Sequence, residues 1–177
     1  ALPFSDEEAK EVSELMAGQS WLNLEATKKN FLRAIPQANM IHMATHSILD
    51  VQQPSQSALV FTKTRDSLDN LLRLSEVYHL EIDAEMLVLS ACNTGYGPIV
   101  RGEGLNSLAR AFHSAGVSSV MATLWGISDE SSKKIMKLFY QFVKAGMTKD
   151  VALQKAQLEF LQNDRISSPS FRLPVYW

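Results

Sequence analysis

Only one cysteine, Cys92, stands in 177 residues. That excludes an internal disulfide and fits a reducing, cytoplasmic setting. No run of 18 apolar residues occurs, so nothing reads as a bilayer span. The formal charge of −2 supplies no global field for nucleic acid or an anionic membrane, and neither is expected as a partner. The amino end, ALPFSDEEAKEV, is acidic and lacks the basic-then-apolar layout of a signal peptide. Internal repeats and low-complexity tracts are absent. What the chain does have is 46% hydrophobic residues, enough to bury a substantial core without staples. It opens on Ala1 and closes in PVYW, which reads as a strand barely begun. The expectation is a piece of a larger polypeptide.

Ser5 with Glu8 forms a capping-box pattern, so a helix is expected from there to about Gly18. A short strand is expected near 20–24, then a helix over about 26–34 that stops before Pro36. NMIHMAT, residues 39–45, reads as a buried strand reaching His46, and 47–56 as a loop. Residues 57–62 and 70–74 are expected to pair as a hairpin across a polar stretch, with a short helix near 76–79. MLVLSA, residues 86–91, is apolar on both faces, as a central parallel strand should be. A glycine-rich loop follows, then a helix over about 105–114 ended by Gly116, and an apolar strand over 118–125. Helices over 129–144 and 149–161 complete the pattern, with Thr148 as a cap and Ile135, Leu138, Phe139 and Phe142 as a core stripe. The alternation predicts a layered α/β fold with a mainly parallel sheet and a small β-hairpin insertion.

In parallel sheets functional groups gather just beyond the carboxyl ends of strands. His46 and Cys92 both hold such positions. If their strands are neighbours, about 4.8 Å apart, imidazole and thiol emerge on one edge together. A base beside a thiol raises its thiolate fraction, and the same histidine can protonate a leaving amine. The amides of Cys92 and Ser47, in the turns after each strand, are candidate oxyanion donors. No metal or organic cofactor is needed. Taken singly, a lone cysteine is usually a small buried hydrophobe and a histidine at a strand end a polar residue near solvent. Together they match the alanine-cysteine signature of caspases, whose histidine lies about 50 residues upstream. Here the dipeptide is Ala91-Cys92, with His46 lying 46 positions before the cysteine.

ATHSILD, LSACNTGYG, RGEGLNSLARAFHSAGVSSVMATLW and SDESSKKIMKLFYQFV closely resemble the CHAT-domain family, caspase-like domains usually attached to tetratricopeptide repeats. The motifs run in the family's order from about Ala26 to Leu161. The resemblance implies a three-layer α/β/α caspase-like fold over residues 1–177, with further strands flanking both ends in the parent chain. It implies His46 and Cys92 as the catalytic pair of a cysteine endopeptidase acting on protein or peptide substrates. It also implies repeat regions of the same polypeptide as partners that recruit substrate or hold the enzyme idle. Many relatives have Gly after the histidine, where this chain has Ser47. In the separase branch an acidic residue after the LW strand receives a basic side chain, and its nearest match is Asp129. The alternative is that Asp129 only caps its helix. Trp125 is a candidate cleft wall, or else ordinary packing. The alternative to a working enzyme is a caspase-like interaction module with an idle pair.

Other signals carry less. GYGPIVRGEG sits where phosphate loops sit, but Val100 breaks the dinucleotide pattern, and Glu103-Gly104 stands where a P-loop needs Lys-Ser/Thr. Glu103 is then a first-turn carboxylate or a shaper of the loop over the site. His42 and His46 are four apart, but on a strand that is about 13 Å, too far to share a metal. His79 and His113 show no partner in sequence.

Overall fold

In the computed structural model the described residues are 4–48, 50, 52–65, 69–90, 104–123 and 128–163. The chain divides into two compact units, one from Trp21–Gly126 and the other from Leu2–Ser20 with Ile127–Trp177.

The first unit is built on a parallel sheet. Its strands are β1 (Met40–Ala44), β5 (Met86–Ser90) and β6 (Val120–Ala122), in the order β1-β5-β6. Every residue of β5 is buried, which is why its sequence is apolar from Met86 to Leu89. β1 alternates instead, with Ile41 and Met43 inward. The helix α4 (Gly104–Ser114) links β5 to β6. It buries Leu108, Ala111, Phe112 and then Ala115 just beyond it, the i, i+3, i+4, i+7 stripe of a helix lying on a core. Gly116 ends it at φ 111, and a Cβ there would lie 2.1 Å from the Ile82 carbonyl oxygen. Only glycine satisfies both demands.

A second, antiparallel sheet lies between β1 and β5 in sequence. It contains β2 (Ser47–Ile48), β3 (Ala58–Val60) and β4 (Leu71–Arg73) in that order. The expected hairpin is present as β3–β4, and β2 adds a strand where a loop was expected. A short helix, α3 (Leu74–Val77), follows at once, Glu76 accepting from the Arg73 N–H at 2.8 Å. The helix α2 (Lys28–Ala34) is capped by Thr27, whose hydroxyl oxygen accepts from the Asn30 N–H at 3.2 Å. Its first residue, Lys28, is 8% exposed and bonds both Asp69 and Glu76 at 2.6 Å, tying α2 to the hairpin and α3. The strand expected at 20–24 is instead a 3-10 turn over Asn23–Glu25 with Asn23 at φ 51. Leu22 is extended there, but residues 20–24 join no sheet.

The second unit packs α5 (Asp129–Lys144) against both α1 (Ser5–Leu15) and α6 (Lys149–Asn163). Its core includes Val12, Ile135, Met136, Phe139, Tyr140, Ala156 and Phe160. The inward face of α5 is rotated from the expected stripe: Ile135 and Phe139 are buried, while Met136 and Tyr140, not Leu138 and Phe142, complete it. Burial first, and then the charge of Glu8, push the Tyr140 phenol well above its ordinary pKa. α1 begins where expected, yet Ser5 is its first helical residue and not its cap. Phe4 takes that place at φ 69, and Ser5 and Glu8 are buried. Gly146, at φ 88, separates α5 from α6, and Thr148 directly precedes α6, its hydroxyl bonding the Asp150 carboxylate. Among the described residues no helix is long and apolar enough to cross a membrane.

Candidate functional site

The carboxyl edge of the parallel sheet is fixed by register. β1 and β5 pair in parallel, with His42 opposite Val88, Met43 opposite Leu89 and Ala44 opposite Ser90. β6 lies on the other side of β5, with Ala122 opposite Leu89. β5 is therefore the middle strand, and Ser90, 3% exposed, is its last residue. His46 stands two positions beyond Ala44 in the chain, and Cys92 two beyond Ser90.

The backbone around His46 is held from one side by β3. The Val60 N–H donates to the His46 carbonyl at 2.9 Å, and the Thr45 hydroxyl donates to the Val60 carbonyl. One residue of β3 thus grips two consecutive residues at the mouth of β1. The His46 side chain is exposed. Rigid backbone with an open imidazole is the arrangement a proton-transfer group needs.

Ser47 opposes Leu59. Antiparallel partners alternate between bonded and non-bonded pairs. The bond from Val60 to His46 flanks Ser47–Leu59 and makes it a non-bonded pair. The Ser47 N–H is directed away from β3, as an oxyanion donor at this place would have to be. The Ser47 hydroxyl is buried with no hydrogen-bond partner among the described residues, and so is that of Thr123, directly after β6.

Beyond β2 the chain turns on Asp50. Its carboxylate accepts from the Gln52 and Gln53 N–H groups at 3.0 and 2.8 Å, and its own N–H donates to the Ser57 hydroxyl at 3.0 Å. This turn falls within the loop expected over 47–56, whereas the Val60 grip was not assigned from sequence. The signal for the turn was Asp50 itself, whose side chain can accept from N–H groups two and three residues on. The grip depends on a strand pairing 15 residues away, which local sequence does not encode.

Asp129 is the first residue of α5 and half-buried, while Ser128 takes the cap position. The capping alternative is thereby narrowed to a first-turn carboxylate favoured by the helix dipole. Cys92, Trp125 and Glu103 lie outside the described residues. His79 and His113 both have partners: their Nδ1 atoms lie 2.7 Å from the Ser75 carbonyl and 2.8 Å from the Val117 carbonyl. Among the described residues no group of three His, Cys, Asp or Glu side chains could hold a metal.

The family model of the CHAT domain matches residues 1–177. Two curated relatives are tetratricopeptide repeat protein 28 of mouse and of human. Each is 25% identical, over 201 and 206 residues, covering 96% of this chain. The chain spans about 8% of the length of either relative. With its parallel β1-β5-β6 sheet and crossover helix, the chain belongs to the CHAT-domain family and has its caspase-like α/β fold.

Proposed function

We propose that this domain is a cysteine endopeptidase in which Cys92 is the nucleophile and His46 the base. One observation carries the reading: β1 and β5 are parallel neighbours with Ala44 opposite Ser90. His46 and Cys92 each follow two positions later, within about 7 Å of chain reach from those paired residues. The exposed imidazole on a gripped backbone supports the same reading.

The thiol gives its proton to His46, and the sulfur attacks the peptide carbonyl carbon. The oxyanion of the tetrahedral intermediate is met by the N–H groups of Ser47 and Cys92. As the intermediate collapses, the C–N bond breaks and His46 returns the proton to the leaving amine. Water, deprotonated by His46, then hydrolyses the thioester and restores the thiol. The chain's own residues suffice for each step, and no cofactor enters.

Asp129 is proposed to receive a basic side chain before the scissile bond, since a carboxylate pairs bidentately with arginine, and Trp125 to wall the cleft. Tetratricopeptide repeats, which name both curated relatives, are proposed as the part of the parent polypeptide that recruits substrate or restrains the enzyme. The proposed compartment is the cytoplasm.

A peptidyl electrophile tests the reading in the full-length protein. Wild type should be labelled at Cys92, while Cys92→Ala and His46→Ala should lose labelling. Asp129→Ala should weaken cleavage after Arg or Lys far more than it affects folding. Labelling of the full-length wild type no faster than of Cys92→Ala would favour an idle caspase-like interaction module.

A further inference from the structure

The carboxyl edge carries two hydroxyls that the catalytic scheme does not use. Ser47 opens β2 three residues past the end of β1, and Thr123 directly follows β6; β1 and β6 are the two strands that flank β5. In both, the hydroxyl oxygen is buried and has no hydrogen-bond partner among the described residues. Buried polar groups are almost always paired, so an orphan calls for a physical reason. Two orphans, each a few residues past the end of a strand that flanks β5, call for a common one.

We infer that the Ser47 and Thr123 hydroxyls are binding groups for the main chain of an extended peptide substrate. Both residues are half-buried while their oxygens are covered. Rotation about χ1 by roughly 120° moves such a side chain between staggered wells. In each case it would re-aim the oxygen without breaking a bond to any described residue. A hydroxyl both donates and accepts, so each can take a peptide carbonyl or a peptide N–H. Groups of this kind contribute in the complex what they forgo in the free protein, and that favours bound substrate over empty site.

The inference rests on the peptidase reading above, and the test separates the two. Thr123→Val keeps the side-chain shape and removes the hydroxyl, and Ser47→Ala keeps the backbone amide. In the full-length protein, both variants and the wild type are reacted with a peptidyl electrophile and with iodoacetamide, which has no peptide to bind. Thermal midpoints are recorded alongside. Each variant should react with the peptidyl reagent about fivefold to tenfold more slowly, the loss expected for one neutral hydrogen bond. The iodoacetamide rate of Thr123→Val should be unchanged, and the thermal midpoint of either variant equal to or above wild type. Unchanged peptidyl rates, equal slowing with both reagents, or a lowered midpoint would overturn the inference, because each assigns the hydroxyls to something other than substrate. If the wild type itself reacts no faster with the peptidyl reagent than Cys92→Ala does, the peptidase reading fails and the inference falls with it.

Discussion

Val60 holds His46 by a single backbone hydrogen bond of 2.9 Å, while its own carbonyl is taken by the hydroxyl of Thr45. The small antiparallel sheet is in this sense a support for the edge of the large parallel one. Catalysis is sensitive to ångström displacements of a proton-transfer group, so loosening the grip should be felt in turnover before binding. Thr45→Val removes the side-chain half of the grip. It should cost about 1 kcal/mol of stability and lower kcat roughly tenfold with KM unchanged. Steady-state kinetics with equilibrium denaturation on the same variant would check this.

Lys28 links α2 to Asp69 and Glu76 at 2.6 Å to each. Burial alone would lower the pKa of Lys28, but the hydrogen bonds it donates to Asp69 and Glu76 outweigh that and hold the ammonium above its ordinary 10.5. The bond from Lys28 is the main cause of the lowered pKa of Asp69, below its ordinary 3.8. The two shifts act at opposite ends of the pH scale. The lysine's contribution is complete below pH 10.5 and fades as pH rises through its raised folded value. The aspartate's is complete well above pH 3.8 and fades as pH falls through its lowered folded value. Lys28→Met should therefore remove stability across the neutral plateau and flatten both flanks. The loss should be about 1 kcal/mol, modest because Asp69 and Glu76 remain partly hydrated. Urea denaturation from pH 3 to 11 would read it (about the range these shifts span).

Two glycines with left-handed backbones provide a paired test of packing against conformation. Gly116, at φ 111, faces the Ile82 carbonyl oxygen at 2.1 Å from an added Cβ, whereas Gly146, at φ 88, has nothing within 4 Å. Gly146→Ala should cost only the left-handed penalty, about 1 kcal/mol. Gly116→Ala should cost distinctly more, because backbone must move as well. Chemical denaturation of the two variants side by side would show the ordering.

The large sheet was readable because its strands announce themselves: β5 is apolar from Met86 to Leu89 and entirely buried. α5 was readable to its ends, Asp129 and Lys144, although the inward face was not. Leu138 and Phe142 are as apolar as Met136 and Tyr140 by composition, and only packing against α1 and α6 selects between them. β2 has two residues, too few to carry any periodicity, and exists because β3 supplies its partner. The segment near Trp21 shows the converse: strand-like residues without an adjoining strand become a turn. Phe4 in a left-handed cap position has no sequence signal at all. At the site, the sequence marked His46 and Ser47 through their place after an apolar strand. The grip from Val60 was invisible because it joins residues that only the folded sheet brings together.

The most direct test of the central claim is the pH dependence of Cys92 alkylation by iodoacetamide in the full-length protein, with and without His46. An ordinary thiol reacts with a midpoint of about 8.5, and a neighbouring imidazolium lowers it. Wild type should react with a midpoint well below that value, and His46→Ala should return it there. Identical midpoints in the two proteins would mean that thiol and imidazole do not meet.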